Sequence, residues 1–172
     1  MELAPPADGV DRLYRETREA LAGYFRRRHG AADAVEDLLH ETFLRLMRRT
    51  DRLSEARSPR AYLFGIARHV SADAWRRAEP PAADGIALET VAATAPDPRL
   101  SAVREVIAGL PTLQREILDL RFQHDLSYAE IAEALGTPVG TVRSRLHNAM
   151  RILRARLALE ESASDGSHDH EA

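Results

Sequence analysis

The chain has 172 residues, of which 44% are hydrophobic, and its 24 arginines and 27 acidic residues give a net charge of −3. It contains no cysteine, which excludes disulfides, thiolate zinc sites and cysteine nucleophiles. No apolar run reaches the roughly 20 residues that a membrane-spanning helix needs, and the N-terminus lacks the basic start and apolar stretch of a signal peptide. These features predict a cytoplasmic protein that is not itself a membrane protein.

The net charge is distributed unevenly along the chain. Residues 12–78 carry a net charge of +6 and residues 99–156 carry +3, whereas residues 1–11, 79–98 and 157–172 carry −3, −4 and −5. Every basic residue is an arginine, whose forked donors suit phosphates and guanine edges. The negative total therefore conceals two basic blocks, and these are where a nucleic-acid partner would bind.

Both basic blocks show helical periodicity, and neither contains the alternating pattern of a β-strand. The sequence therefore predicts an all-α protein with two small helical domains, at residues 10–78 and 99–158. The connector at residues 79–98 is acidic and holds several prolines, which is typical of a flexible linker. The small, acidic and polar residues 159–172 predict a disordered tail.

Three helices are predicted in the first block. The first helix stops near Gly30, and the third begins with Ser58 as its N-cap and Pro59 in its first turn. Residues 50–58 between the second and third helices predict a loop. The apolar stripe of the second helix comprises Val35, Leu38, Leu39, Thr42, Phe43 and Leu46.

The second block begins with two helices on either side of Pro111 and continues into the pattern of a helix-turn-helix. Ser127 and Glu130 form a capping box, Gly136 suits a left-handed turn, and Pro138 suits the first turn of the next helix. Such a second helix can enter a DNA major groove. The alternative is an αα-hairpin whose arginines merely solvate a surface. The predicted buried stripe of the second helix comprises Val142, Leu146, Met150 and Leu153.

Two stretches resemble a known family. Residues 110–153, which include SYAEIAEALGTPVGTVRSRL, resemble the fourth region of bacterial extracytoplasmic-function (ECF) sigma factors. DAVEDLLHETFLRLMRR and SPRAYLFGIARHVSADAWRR resemble their second region. The resemblance implies a protein that binds core RNA polymerase and directs promoter-specific transcription initiation, without enzymatic activity, metal or cofactor.

By this resemblance, the outer face of the second helix would bind the clamp coiled coil of core RNA polymerase. From the residues alone, Asp37, Glu41 and Arg45 would be an ordinary solvated face with i,i+4 ion pairs. The residues expected to contact polymerase are Asp37, His40, Glu41, Leu44 and Arg45.

The third helix and residues 50–60 would read and open the −10 element of the promoter. Unstacked bases require aromatic surfaces, and their phosphates require cations. Trp75 is expected to pack in the protein rather than face DNA. The expected −10 contacts are Arg60, Tyr62, Phe64, Arg68, His69, Arg76 and Arg77.

The second helix of the helix-turn-helix would read the −35 element, with some arginines binding phosphates or the polymerase flap. Asn148 and Met150 stand where relatives often have arginine. This difference either weakens a phosphate-binding stripe or, as we hypothesise, shifts the preferred base toward adenine through Asn148. The expected −35 contacts are Arg143, Ser144, Arg145, His147, Asn148 and Arg151.

Two other functions are open on the sequence. One is a free-standing helix-turn-helix regulator that acts without polymerase. The other is a hydrolase or metal enzyme built on residues 168–170 (His-Asp-His) or on Asp33, Glu36, Asp37, His40 and Glu41. The resemblance further implies an anti-sigma factor that covers the polymerase-binding faces, while control by the acidic tail is an alternative.

Overall fold

A computed structural model of the chain describes residues 7–78 and 98–165. All regular secondary structure in these two ranges is α-helical, as the periodicity predicted. The helices are α1 (Ala7–His29), α2 (Ala32–Met47), α3 (Thr50–Glu55), α4 (Pro59–Arg77), α5 (Pro98–Ala108), α6 (Thr112–Phe122), α7 (Tyr128–Leu135) and α8 (Val139–Asp165).

In the first half of the chain, α1, α2 and α4 pack around a shared apolar core. Gly30 ends α1 with a φ of +70°, a left-handed conformation that glycine adopts without a Cβ penalty. Ser58 caps α4, because its hydroxyl oxygen accepts a hydrogen bond from the Ala61 N–H at 3.2 Å. The predicted apolar stripe of α2 is confirmed, since Val35, Leu38, Leu39, Thr42, Phe43 and Leu46 are all buried.

The prediction of a loop over residues 50–58 is wrong for most of that segment. Thr50–Glu55 form the short helix α3, which is anchored by the buried side chain of Leu53. The Ser54 hydroxyl donates a hydrogen bond to the Asp51 carbonyl oxygen at 2.6 Å. A single helical turn with one apolar residue has no detectable periodicity, so tertiary packing decides its conformation.

The second half of the chain contains the predicted helix-turn-helix, formed by α7 and α8. Both hydrogen bonds of the Ser127–Glu130 capping box are present, and Gly136 has a φ of +59° at the end of α7. Helix α8 begins at Val139, immediately after Pro138. Its buried stripe differs at one position from the prediction, because Ala149 is fully buried whereas Met150 is half-buried.

The predicted linker lies almost entirely between the two described ranges, whereas the predicted tail begins inside the second range. The linker at residues 79–98 lies outside them except for Pro98, the first residue of α5. The prediction of disorder from residue 159 is wrong for its first seven residues, because α8 continues to Asp165. Several residues after position 157 are alanine, leucine or glutamate, which are strong helix formers. They extend the helix although this segment is acidic. Residues 166–172 lie outside the described ranges.

The two halves of the chain pack against each other in this structure. Helix α7 lies across α4, and α6 lies beside the C-terminal part of α1. The buried apolar residues of both halves form one continuous cluster. The predicted organisation, two domains joined by a flexible linker, does not imply this contact. The contact places the second half of the chain against α4, a helix predicted to bind DNA.

Candidate functional site

The outer face of α2 carries the residues expected to bind polymerase. Asp37 and His40 are exposed, whereas Glu41, Leu44 and Arg45 are half-buried. These five residues recur at three- and four-residue intervals, which places them opposite the buried stripe. The helical spacing therefore correctly predicts which face of α2 points away from the core, although Glu41, Leu44 and Arg45 are partly covered. Polymerase binding by this face stays a prediction.

Arg45 connects α2 to α4. Its guanidinium contacts Glu41 at 2.7 Å and Asp73 at 2.8 Å. These hydrogen bonds from Arg45 lower the pKa values of both carboxyl groups. The i,i+4 pair expected from the residues alone is thus present. Beside it, a shallow groove between the two helices is lined by Asp37, Leu38, Glu41, Ala74 and Arg77.

The residues of α4 expected to contact DNA fall into two groups, and the first group is engaged by the second half of the chain. Arg60 donates a hydrogen bond to the His124 carbonyl oxygen, and Arg68 contacts Glu116 at 3.3 Å. The prediction that Phe64 faces DNA does not fit this conformation, because its side chain is 1% exposed. Its ring packs 5.8 Å from the Tyr24 ring and 4.9 Å from the His124 ring.

The second group on α4 lies away from this contact. His69 and Arg77 are exposed, Arg76 is exposed and bonded to Asp73, and Tyr62 is half-buried. Trp75, the only tryptophan, is half-buried and stacks on His29 with ring centroids 5.1 Å apart.

In the helix-turn-helix, Glu130 links the caps of two helices. Its carboxylate accepts hydrogen bonds from the Ser127 N–H and from the Ser58 hydroxyl, each at 2.8 Å. Burial opposes ionisation of Glu130, but these hydrogen bonds lower its pKa overall. Glu130 therefore joins Ser127, the N-cap of α7, to Ser58, the N-cap of α4.

The face of α8 expected to bind DNA is open to solvent. Arg143, Ser144 and His147 are exposed near the beginning of the helix, while Arg145 is half-buried. Arg151 is exposed and donates a hydrogen bond to the half-buried Asn148 at 3.0 Å. No acidic residue occurs between Val139 and Leu159, so the arginines of this face have no acidic neighbour within that stretch of the helix.

Two of the carboxylates proposed for a metal enzyme are paired with arginines. Glu36 contacts Arg18 at 2.9 Å, and Glu41 contacts Arg45. Within residues 7–78 and 98–165, no cluster of three or more potential ligands is arranged to hold a metal. The motif at residues 168–170 lies outside those ranges. None of the helices in the described part of the chain has the length and apolar character to cross a membrane.

Comparison with known proteins identifies the family. Residues 13–80 match the family model for sigma-70 region 2, and residues 100–153 match that for sigma-70 region 4. The probable RNA polymerase sigma-C factor of Mycobacterium bovis is 42% identical over 128 residues, covering 71% of this chain and 69% of its relative. This chain belongs to the ECF sigma factors. The ECF sigma factor SigL of Mycobacterium tuberculosis is 33% identical over 153 residues, covering 84% of this chain and 86% of SigL.

Solved structures share the fold of this sigma factor. The sigma factor RpoE in complex with the anti-sigma factor NepR from Bartonella quintana matches with a TM-score of 0.67 and 20% identity, covering 88% of this chain and 98% of RpoE. CnrH in complex with the cytosolic domain of CnrY matches with a TM-score of 0.63 and 24% identity, covering 92% and 91%. The sigma factor is thus a promoter-specificity subunit of RNA polymerase, with region 2 in α1–α4 and region 4 in α5–α8.

Sequence reasoning missed a charged cluster between the two regions of this sigma factor. Asp119 of α6 accepts hydrogen bonds at 2.8 Å from both Arg27 and Arg28 of α1. Glu116, one helical turn earlier, lies 3.9 Å from Arg28 and accepts a hydrogen bond from the Tyr24 hydroxyl at 3.4 Å. We call Tyr24, Arg27, Arg28, Arg68, Glu116, Asp119 and His124 the interdomain cluster.

Burial shifts the pKa values of two members of this cluster, Tyr24 and His124. It raises the pKa of the Tyr24 hydroxyl, and it lowers the pKa of His124 to about 4. Arg27 donates to His124 Nε2, which places the proton of the neutral imidazole on Nδ1. Burial also opposes charge on Arg28, but Tyr24, Asp119 and Glu116 together raise its pKa.

A weak signal for the cluster is present in the sequence. Glu116 and Asp119 lie three residues apart, so they share a face of α6 among its apolar positions. Charged residues on an apolar face require a partner, and arginines 27 and 28 are candidates. Only the tertiary structure identifies that partner, because 91 residues separate Arg28 from Asp119.

Proposed function

We propose that the three surfaces described above bind three different partners of this sigma factor. The outer face of α2 binds the polymerase clamp, the exposed side chains of α4 contact the −10 element, and the first half of α8 reads the −35 element. On this proposal, residues 10–78 and 99–158 are the two functional domains. The chain carries out no chemistry of its own and acts in the cytoplasm, where polymerase and promoter DNA are present.

The basic face of α8 is the observation that best supports this assignment. Arg143, Ser144 and His147 are exposed at the beginning of a helix that follows a well-formed turn, and no carboxylate lies nearby in that helix. Arginine can bind guanine O6 and N7 with two hydrogen bonds, contributing about 1–3 kcal/mol of base discrimination. Arg145, Arg151 and Arg154 are then available to phosphates or to the flap.

Reconstitution with core polymerase and a promoter library, followed by transcript sequencing, tests the assignment. Arg143→Ala should reduce initiation about tenfold or more and relax the preferred −35 sequence. Arg12→Ala removes an exposed arginine from the start of α1 and should have no effect. Sequence-specific DNA binding that is equally tight without polymerase, with no polymerase-dependent initiation, would instead indicate a free-standing regulator.

The polymerase assignment has a separate test on α2. Asp37→Arg reverses an exposed charge on this face, whereas Asp11→Arg reverses an exposed charge on a different helix, α1. We expect weaker core-polymerase binding only for the substitution at position 37. Equal binding by the two variants would place the polymerase contact elsewhere.

We also propose that an anti-sigma factor controls this sigma factor. The proposal is supported by family membership and by the fold neighbour RpoE, whose structure contains the anti-sigma factor NepR. The α2 face is the surface that such a partner must cover to block polymerase. Competition between the purified partner and core polymerase for the full-length chain is the direct test, and simultaneous binding of both would refute it.

A further inference from the structure

Arg151 differs from the other arginines of α8 in having a side-chain partner. Among the described residues, it is the only arginine of this helix that donates a hydrogen bond to another side chain, from its Nη2 to Asn148 Oδ1 at 3.0 Å. The two residues are three positions apart and therefore share one face of the helix. Asn148 is half-buried and Arg151 is exposed, so the bond lies on the surface of α8.

No ion pair on α8 competes for the Arg151 guanidinium. The residues three and four positions away from it are His147, Asn148, Arg154 and Ala155. None of them is acidic, whereas a carboxylate would bind a guanidinium more strongly than a neutral amide does. The bond to Asn148 is therefore not displaced by a charged neighbour on the same helix.

The guanidinium fixes the orientation of the Asn148 amide. An arginine side chain has only N–H donors, whereas an amide has an oxygen that accepts and an NH2 group that donates. Arg151 can therefore bond to Oδ1 of Asn148 but not to Nδ2. In an unpaired asparagine, rotation about the Cβ–Cγ bond can exchange the two ends of the amide, because this torsion has broad and roughly two-fold preferences. Pairing with Arg151 opposes that exchange.

A fixed amide matches the edge that adenine presents in the major groove. Adenine carries an N7 acceptor and an N6 amino donor there, and asparagine binds both through Nδ2 and Oδ1. A carbonyl oxygen has two lone pairs, so Oδ1 can accept from adenine while it accepts from Arg151. A reversed amide would place donor against donor and acceptor against acceptor. The orientation of the amide thus decides whether adenine is favoured.

We propose that Arg151 is a positioning residue for base readout, which holds the Asn148 amide in the orientation that binds adenine in the −35 element. This role presupposes the proposed function of α8, and it is distinct from a phosphate contact. A side chain that is ordered before binding avoids the cost of being ordered by the DNA. An amide that cannot reverse also accommodates other bases less well, which increases the difference between their affinities and that of adenine.

Nuclear magnetic resonance of the full-length chain tests the hydrogen bond without DNA. Asn148 is the only asparagine in the sequence, so isotope-labelled asparagine reports on this one side-chain amide. Arg151→Ala should shift the NH2 signals of Asn148. Arg154→Ala removes an exposed arginine one turn further along the helix and should leave them unchanged. Signals that respond equally to the two substitutions would overturn the proposal.

Selection from a promoter library with core polymerase tests the effect on base choice. Arg151→Ala should lower the preference for adenine about threefold or more at one position of the −35 element and leave the other positions unchanged. Arg154→Ala removes the same charge and should weaken initiation from all sequences alike. Arg151→Lys retains a cation that can only donate, so it should keep most of the preference for adenine.

Asn148→Ala separates positioning from direct contact by Arg151. In this background, Arg151→Ala should cause no further change in base preference, because both substitutions act through the same amide. A further change would assign Arg151 to a base, and equal sequence preferences of Arg151→Ala and Arg154→Ala would assign it to a phosphate. Either result would overturn the proposal. Failure of the parent to initiate with polymerase would refute the proposed function, while the amide signals would still report whether Arg151 holds Asn148.

Discussion

Two glycines in this chain are required for different physical reasons. Gly136 has a left-handed backbone with a φ of +59° and open space around it, so its backbone conformation, rather than a lack of space, disfavours a side chain. Gly65 has ordinary helical geometry, but its neighbour across the interface leaves little space. A turn glycine can be recognised from the sequence pattern, whereas a contact glycine cannot, because the contacting residue is distant in the chain.

Gly136→Ala should lower the free energy of unfolding of region 4 by about 1 kcal/mol, because alanine is strained in the left-handed region. Urea denaturation followed by circular dichroism measures this change. Gly140→Ala is the matched control, since Gly140 lies in the first turn of α8 and a Cβ added there would meet no atom within 4 Å. It should be neutral or slightly stabilising. Equal loss in both variants would contradict the role of the left-handed turn.

The single tryptophan gives a spectroscopic probe of the contact between α1 and α4. The His29 ring stacks on Trp75, and its Nε2 lies 2.8 Å from the Ser71 hydroxyl. Burial, followed by the nearby charge of Arg28, lowers the pKa of His29. Because a protonated imidazole quenches indole fluorescence, the emission should fall on acidification with a midpoint below the usual value of about 6.5. His29→Gln should abolish this transition, and its persistence would assign the quenching to another group.

At the scale of single helices, periodicity predicts α2 and α8 well but fails for α3. Helix α2 has six buried positions in register, which is a strong amphipathic pattern. Helix α3 has one, Leu53, and its conformation depends on the helices that flank it. Helix α8 shows a smaller discrepancy, because a small alanine takes a buried position where a larger methionine was expected. Spacing identifies the buried face, whereas the available volume selects its members.

The recognition face of α8 carries a prediction about promoter choice. Asn148 accepts a hydrogen bond from Arg151, so a substitution there changes both the residue and its neighbour. Asn148→Arg should shift the preferred −35 sequence from adenine toward guanine at the contacted position, by about 1–3 kcal/mol. Selection from a promoter library in the presence of core polymerase measures the shift.

The control for this change adds the same charge without access to bases. Ala155→Arg places an arginine on an exposed position of α8 about two turns further along the helix. It should alter affinity and salt dependence but not the preferred sequence. An unchanged preference in Asn148→Arg would rule out base readout at this position.

At the scale of the whole molecule, His124 makes the contact between the two halves of the chain sensitive to pH. Its imidazole is 4% exposed, and its Nδ1 has no hydrogen-bond partner in the described part of the chain. Burial is the main reason that its pKa falls to about 4, with Asp119 opposing the shift and the arginines adding to it. The groups that face it are Tyr24, Arg27 and Arg28 from α1, Arg60 from α4, and Asp119 from α6.

Acidification should therefore weaken the contact between the two halves of the chain. It should convert a closed form, in which the halves pack together, into an open form, in which they are apart. The closed form holds His124 neutral, whereas the open form exposes it with an ordinary pKa of about 6.5. The closed form is thus fully favoured above that value and loses stability as the pH falls from about 6.5 toward 4, by at most about tenfold in population per unit of pH. The chain has no cysteine, so spin labels can be attached through Ala32→Cys and Ala155→Cys, both at exposed positions. The distance between these labels, measured at pH 7.5 and at pH 5, should reveal this loss. His124→Gln should remove most of the difference, and an unaltered pH response in that variant would assign it to another group.

The sequence by itself determined the all-α class, the two basic blocks, the helix-turn-helix and the face of α2 that points outward. These properties follow from local information, since helical spacing, capping residues and turn glycines act within a few residues of each other. Only the tertiary structure decided which α4 residues are available. Arg60, Phe64 and Arg68 resemble their exposed neighbours in sequence, but α6, α7 and the turn between them cover or engage them. The physical reason is that the paired charges of the interdomain cluster lie more than 90 residues apart in the chain. A local sequence pattern covers only a few residues, so it cannot predict which distant residues come into contact.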